Sequence, residues 1–280
     1  MLMKNNVDHI SRLESWILWR SKISKDPEIY KGYKFPEPIQ AWEKIFGSEC
    51  PICHGGRSGY FGNDLSKKYY CICSTLEWLQ SNYYALGKLE TPFKYAKLSD
   101  LKPLGITPAN DERLIELVEF VECWLMNPRE WIVIQGGNGT GKTHILRAIK
   151  TQLGSLCAYI SVDQFQRKLF AARTTDGAVE DLVDNLSKIP VLLLDDWGLE
   201  HDNSWTTDTI ASIINTRYMY HHLFPTVITF NEKLENLLRL PDLSKKRILS
   251  RILDSEISFV TALMDDDYRS IVTQNSRRKK

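Results

Sequence analysis

The run Gly136-Gly137-Asn138-Gly139-Thr140-Gly141-Lys142-Thr143 fits the pattern G-x-x-x-x-G-K-[ST] at every fixed position. Such a run can hold phosphate, because its glycines let backbone N–H groups close around the oxygens while a lysine reaches the β/γ positions. Lys142 would supply that cation, Thr143 a hydroxyl for Mg²⁺, and the helix that follows, with His144 in its first turn, would aim its positive dipole end at the anion. A Gly-rich turn is the plain reading of an isolated match. Here, however, the run follows the apolar stretch Trp131-Ile132-Val133-Ile134 and precedes a helical pattern. A nucleoside triphosphate site needs a second half, and one lies downstream. Ile189-Pro190-Val191-Leu192-Leu193-Leu194 has the near-continuous apolar character of a strand buried on both faces, and it ends in Asp195-Asp196. Acids at the carboxyl end of such a strand are placed to act on a ligand, Asp195 on Mg²⁺ and Asp196 on the attacking water. Without the glycine loop the same pair would read as a turn or helix cap.

The elements required to position these groups are legible around them. Strands are expected at 131–135, 157–162, 190–195, 225–230 and 257–262, and helices at 142–153, 163–172, 178–187, 205–222, 232–238 and 244–254. This alternation implies an α/β fold with a central parallel sheet and helices on both faces. A further helix is expected from Pro108 to Met126, with Leu114, Leu117, Val118, Val121 and Leu125 on one face. The chain divides into an N-terminal module (1–90), a linker rich in Pro, Gly and Lys (91–107), the α/β domain (108–275) and a basic tail (276–280).

Four of the six cysteines fall in the first quarter, as Cys50-Pro-Ile-Cys53 and Cys71-Ile-Cys73. Two close pairs of thiolates suit tetrahedral Zn²⁺ in a reducing compartment, with free or redox-active thiols as the alternative. The stretch between them reads as a short hairpin closing the site, and His54 reads as a surface residue rather than a ligand. Cys123 and Cys157 are expected to be buried packing residues. The first module is otherwise helical, with Ile10, Leu13, Trp16, Ile17 and Ile23 at helical spacing and a second short helix over Pro36–Phe46.

At 280 residues and 43% hydrophobic content the chain can bury one large core plus a small module. Lys+Arg 36 against Asp+Glu 35 leaves a net charge of +1, so any surface for nucleic acid must be local. No apolar run approaches the ~20 residues of a membrane span and the N-terminus lacks an apolar signal core, which predicts a cytosolic protein without a membrane partner.

The motif series resembles the AAA+ ATPases, in particular the bacterial replicative-helicase loaders of the DnaC/DnaI type and the IstB-like ATPases that assist transposition. The resemblance spans about residues 95–275 and rests on GGNGTGKTH, YISVDQF, LLLDDWGLE, INTRY, PTVITFN, KKRILSRI and DDDYRS in that order. It implies an ATPase that uses ATP and Mg²⁺ and acts as a homo-oligomer. Asn231 takes the place of the sensor-1 residue. Arg251, with Arg247 second, takes that of an arginine finger offered to a neighbouring subunit, and Arg269 that of the sensor-2 arginine. The resemblance further implies single-stranded DNA along Arg167, Lys168, Arg173 and Trp205, where cations beside an aromatic also suit phosphate neutralisation and base stacking. A zinc module ahead of the ATPase resembles the DnaI-type loaders more loosely, and suggests a hexameric helicase as partner. The IstB-like alternative implies a transposase and duplex DNA. A metal-dependent nucleic-acid adaptor is a rival of another class. The second acid is Asp196 where many AAA+ proteins have glutamate, and the shorter side chain implies slow turnover.

Overall fold

The computed structural model describes residues 58–61, 64–70, 96–103, 107–126, 128–198, 204–239 and 243–263. Two short strands, β1 (Ser58–Phe61) and β2 (Asp64–Tyr70), form an antiparallel hairpin with a register shift between Tyr60 and Phe61. This is the hairpin expected between the two cysteine pairs. Cys50, Cys53, Cys71 and Cys73, His54, and the helical segments expected around 9–26 and 36–46 lie outside the described residues.

The rest is one α/β unit: α1 (Pro108–Met126), β3 (Trp131–Gly136), α2 (Lys142–Leu153), β4 (Cys157–Ser161), α3 (Val162–Ala172), α4 (Ala178–Lys188), β5 (Val191–Asp195), α5 (Ser204–Met219), β6 (Thr226–Phe230), α6 (Leu234–Leu238), α7 (Leu243–Ile252) and β7 (Ser258–Leu263). Its five strands are all parallel, in the order β4-β5-β6-β3-β7. Local chemistry sets the helix ends. Pro108 opens α1, where its missing N–H costs nothing. Ser161 caps α3 by accepting from the Gln164 N–H while the Gln164 side chain accepts from the Ser161 N–H, both at 3.3 Å.

Burial follows sheet position. The central strands β5 and β6 are buried at every residue, which explains the apolar run Val191–Leu194, while β6 also buries Thr226 and Thr229. β7 closes one edge of the five-stranded sheet, and its Val260 is 42% exposed. Right-handed crossovers place α2 on one face and α4, α5 and α7 on the other. The contacts agree, since α2 packs on β3 to β6 and on α1, whereas α5 packs between α4 and α7. Leu114, Leu117, Val121 and Leu125 of α1 are buried as their spacing required. Cys157 is buried at the start of β4, and burial pushes its thiol up to about 12, so it packs rather than reacts. Cys123 departs from expectation. It lies on the exposed side of α1, between Val121 and Trp124 of the buried face.

Beneath the sheet, at the ends where β5 and β6 begin, Arg217 of α5 is fully buried. Its guanidinium donates to the carbonyls of Ile189 and Pro225 at 2.8 Å, Leu186 at 3.1 Å, Ser187 at 3.3 Å and Pro190 at 3.4 Å, and to Thr226 Oγ1 at 2.8 Å. One side chain thereby ties the end of α4 to the starts of two neighbouring strands.

Candidate nucleotide site

Strand order places the site. From β3 the chain crosses to β4, returns through β5 and β6 to the flank of β3, and then passes to β7 on its other side. The order therefore reverses at β3, and the crevice beyond its carboxyl end is where such sheets hold ligands. Gly136 is the last residue of β3, and the loop it starts lies in that crevice.

The glycines of the loop serve different ends. Gly139 and Gly141 have φ of +82° and +99°, the left-handed backbone that other residues adopt at a cost. Gly136 is constrained by space instead, because a Cβ there would stand 2.5 Å from the carbonyl oxygen of Leu263 on the adjacent strand β7. Lys142 is buried, and its Nζ donates to the carbonyls of Gly136 and Gly137 at 2.7 Å each, which draws the ammonium across the mouth of the loop. Thr140 Oγ1 donates to Gly137 O at 3.0 Å. Gly139, Gly141, Lys142, Thr143, His144 and Arg147 line a cleft of about 300 Å³ together with Asp100 and Leu101, which precede α1. His144 Nε2 donates to Lys97 O at 2.9 Å and so joins the stretch before α1 to the first turn of α2.

Asp195 ends β5 and is almost completely buried. Both its oxygens accept short hydrogen bonds, Oδ2 from the Tyr159 hydroxyl and Oδ1 from Thr229 Oγ1, each at 2.6 Å. Donors on both flanking strands thus fix the carboxylate's plane. The Tyr159 hydroxyl is correspondingly held well above the usual tyrosine range, by burial first and then by Asp195. Asp196 follows with φ +54°, the one non-glycine in left-handed conformation among the described residues. That turn is pinned by its own N–H, which donates to Thr229 Oγ1 at 2.9 Å, and it swings the carboxylate out of the strand. Asn231 Nδ2 donates to Asp196 Oδ1 at 3.0 Å, so the two residues singled out as water-activating acid and sensor 1 are in contact. Partial desolvation, then the charge of Asp195, raise the Asp196 carboxyl above its ordinary value, while Asn231 and Lys142 pull the other way. Tyr159 and Thr229 were missed in the sequence. Strand register would have indicated Thr229, since Leu194 pairs with Ile228 and the next residues along are Asp195 and Thr229.

The remaining candidates lie elsewhere. Arg173 sits with its Cζ 3.9 Å from the Trp205 ring centroid and 4.9 Å from that of Phe170, so two of the DNA candidates form one cation–aromatic cluster. Arg167 is exposed and Lys168 half-buried on the same helix, α3. Arg251 is outside the cleft lining, half-buried on α7, and its Nη1 donates to Arg247 O at 3.1 Å. Arg269 lies outside the described residues. No group of His, Cys, Asp and Glu suited to hold a metal ion is formed among the described residues, and no helix among them is long and apolar enough to cross a membrane.

A parallel sheet ordered in this way, with a lysine-bearing glycine loop after β3 and an acid pair after β5, defines a P-loop ATPase fold of the AAA+ type. AMPPCP-bound DnaA from Aquifex aeolicus shares it, at 22% identity over 68% of this chain and 56% of that one, with a TM-score of 0.51. Structures of DnaI (24% identity, 61% of this chain and 89% of that one, TM-score 0.48) and of the DnaC helicase loader (21%, 62% and 98%, TM-score 0.48) also match. No curated protein sequence matches the chain. The chain belongs to the IstB-like ATP-binding protein family, whose pattern matches residues 87–269, well over half of its length.

Proposed function

We propose that this chain is an ATPase that loads or remodels a hexameric replicative DNA helicase on single-stranded DNA, working as a homo-oligomer. The observation that carries the catalytic part is the convergence of the Lys142 loop with Asp195, Asp196 and Asn231 at the reversal point of the sheet. The donor set fits a Mg²⁺–triphosphate. The loop from Gly136 to Gly141, Lys142 and His144 would hold the nucleotide, and Thr143 with Asp195 would hold the metal, which when bound neutralises charge on the phosphates. Tyr159 and Thr229 hold Asp195 in one orientation. Asp196 takes the proton of the attacking water, and Asn231 keeps its carboxylate in place. Arg251 acts on the neighbouring subunit's nucleotide and Arg269 on the chain's own. The Arg173–Trp205 cluster, with Arg167 and Lys168 nearby, offers phosphate neutralisation and a stacking face to a DNA strand. The N-terminal module, with Cys50, Cys53, Cys71 and Cys73 as ligands for Zn²⁺, grips the helicase. Loss of one equivalent of zinc in Cys50→Ser would support that site, and unchanged zinc would remove it.

A second reading is favoured by the family match: an ATPase that assists a transposase on duplex DNA. Pull-down of the full chain and of residues 95–280 against the host's helicase and co-encoded proteins, with ATP and with ADP, separates the two. Helicase capture that needs residues 1–94 supports the loader. Transposase capture with duplex-stimulated hydrolysis supports the other. For the catalytic roles, Lys142→Ala should abolish nucleotide binding, while Arg251→Ala should keep binding and lower turnover by roughly 10³-fold or more. Equal loss of binding in both variants would remove Arg251 from the finger role.

A further inference from the structure

Arg251 stands one helical turn beyond Arg247 on α7, and its guanidinium has two neighbours of different kinds. One is the Arg247 carbonyl, 3.1 Å from Nη1. The other belongs to a different helix: the ring of Tyr218, near the end of α5, with its centroid 5.8 Å from Arg251 Cζ. At that separation the ring face attracts the cation without consuming its N–H donors. The ring is itself held. The Tyr218 hydroxyl donates to Asp254 Oδ2 at 2.7 Å, and Asp254 Oδ1 accepts from the Glu256 N–H at 3.0 Å in the turn leading to β7. Tyr218 is therefore fixed by its backbone on α5 and by its hydroxyl on the segment after α7.

A long arginine that must reach into another subunit loses much rotamer freedom when it engages, and a face that restricts it beforehand reduces that loss. We propose that Tyr218, locked by Asp254, is the positioning residue that pre-orients Arg251 for the neighbouring subunit's nucleotide. The proposal rests on the reading of Arg251 as the finger. It assigns Tyr218 no contact with ATP.

The test uses the full-length chain with Mg²⁺-ATP, reading turnover against protein concentration and nucleotide affinity separately. Tyr218→Ala should lower turnover of the assembled protein by roughly 10- to 100-fold, the range expected when a catalytic group is misplaced rather than removed. Nucleotide affinity should not change. Tyr218→Phe keeps the ring face but loses the bond to Asp254, and should lower turnover by about three- to tenfold, less than Tyr218→Ala. In an Arg251→Ala background, Tyr218→Ala should cost nothing further, because it acts through the arginine. Wild-type turnover in Tyr218→Ala, equal loss in the Ala and Phe variants, or an additive loss in the Arg251→Ala background would each overturn the proposal. Should Tyr218→Ala fail to fold, Tyr218→Leu replaces it in every comparison. If Arg251→Ala itself turns over normally, the finger reading falls and the positioning role with it. Loss in Arg251→Ala without loss in Tyr218→Ala defeats the positioning role alone.

Discussion

Asp196 gathers three unfavourable circumstances in one residue: a left-handed backbone, a carboxylate next to that of Asp195, and partial loss of solvent. Such strain persists only where surrounding bonds over-determine it, and here Thr229 and Asn231 do so. The carboxyl takes up its proton at higher pH in the folded chain than in the unfolded one, whose value is about 3.8. Between those two values the folded state binds more protons, so this residue's contribution to stability falls as pH rises through the window. Asp196→Asn is isosteric, and asparagine tolerates left-handed backbone. It should unfold at a higher temperature than wild type at neutral pH, and the difference should close as pH drops below 3.8. Turnover should fall by about 10²-fold or more over the same comparison. Thermal scans across pH check the first part, and a variant no more stable than wild type at pH 7 would mean that the charge is not a burden. At this scale the sequence marks candidates where chemistry fixes residue type at fixed spacing, as in Lys142, Thr143, Asp195 and Asp196, and the fold brings these to one end of the sheet. Tyr159, Thr229 and Tyr218 fall inside YISVDQF, PTVITFN and INTRY but received no role there, because their contacts arise from register between strands or from the meeting of two helices.

Among the elements, β3 shows how a motif residue can be required for a reason that the motif does not state. Gly136 looks like part of the phosphate cradle, yet its lack of a side chain lets β7 lie alongside. Gly136→Ala would press a methyl against the Leu263 backbone, which cannot rotate away, and should cost about 1–3 kcal/mol in urea unfolding together with a loss of nucleotide affinity. Gly177 is the contrast, with φ +74° and nothing within 4 Å of an added Cβ. Gly177→Ala should cost only its backbone strain, about 1–2 kcal/mol, with affinity intact. Equal affinity losses in the two variants would refute the distinction. Strand and helix positions were readable from period and apolar run length, and the helix that starts the unit was readable from its proline and its buried stripe. What escaped was the stretch ahead of α1. Asp100 and Leu101 line the cleft although their sequence, mixed with Pro, Gly and Lys, reads as a connector. Cys123 was misread because one apolar-looking position on an amphipathic helix can still face outward.

For the molecule as a whole, the near-neutral charge of +1 hides an arrangement that only the fold reveals, with Lys142 and its glycine loop at the carboxyl end of the sheet and Arg217 sealed beneath its other end. Replacing Arg217 by methionine would fill similar space, take the guanidinium donor from the carbonyls of Leu186 and Ile189, and leave Pro225 O with only the Leu192 N–H. Each buried carbonyl left unsatisfied costs roughly 1–3 kcal/mol, to be read as a shift in denaturant midpoint. A smaller shift than 1 kcal/mol would show that water replaces the guanidinium readily. The same arginine also says something about time. Its acceptors come from the ends of segments that meet only after β5 and β6 have paired, as the bond from Leu192 N to Pro225 O at 3.3 Å attests. A guanidinium that takes acceptors from all of these ends is expected to leave water late in folding. Arg217→Met should consequently leave the refolding limb of a chevron almost unmoved and lift the unfolding limb, shortening the lifetime of the native state rather than delaying its arrival.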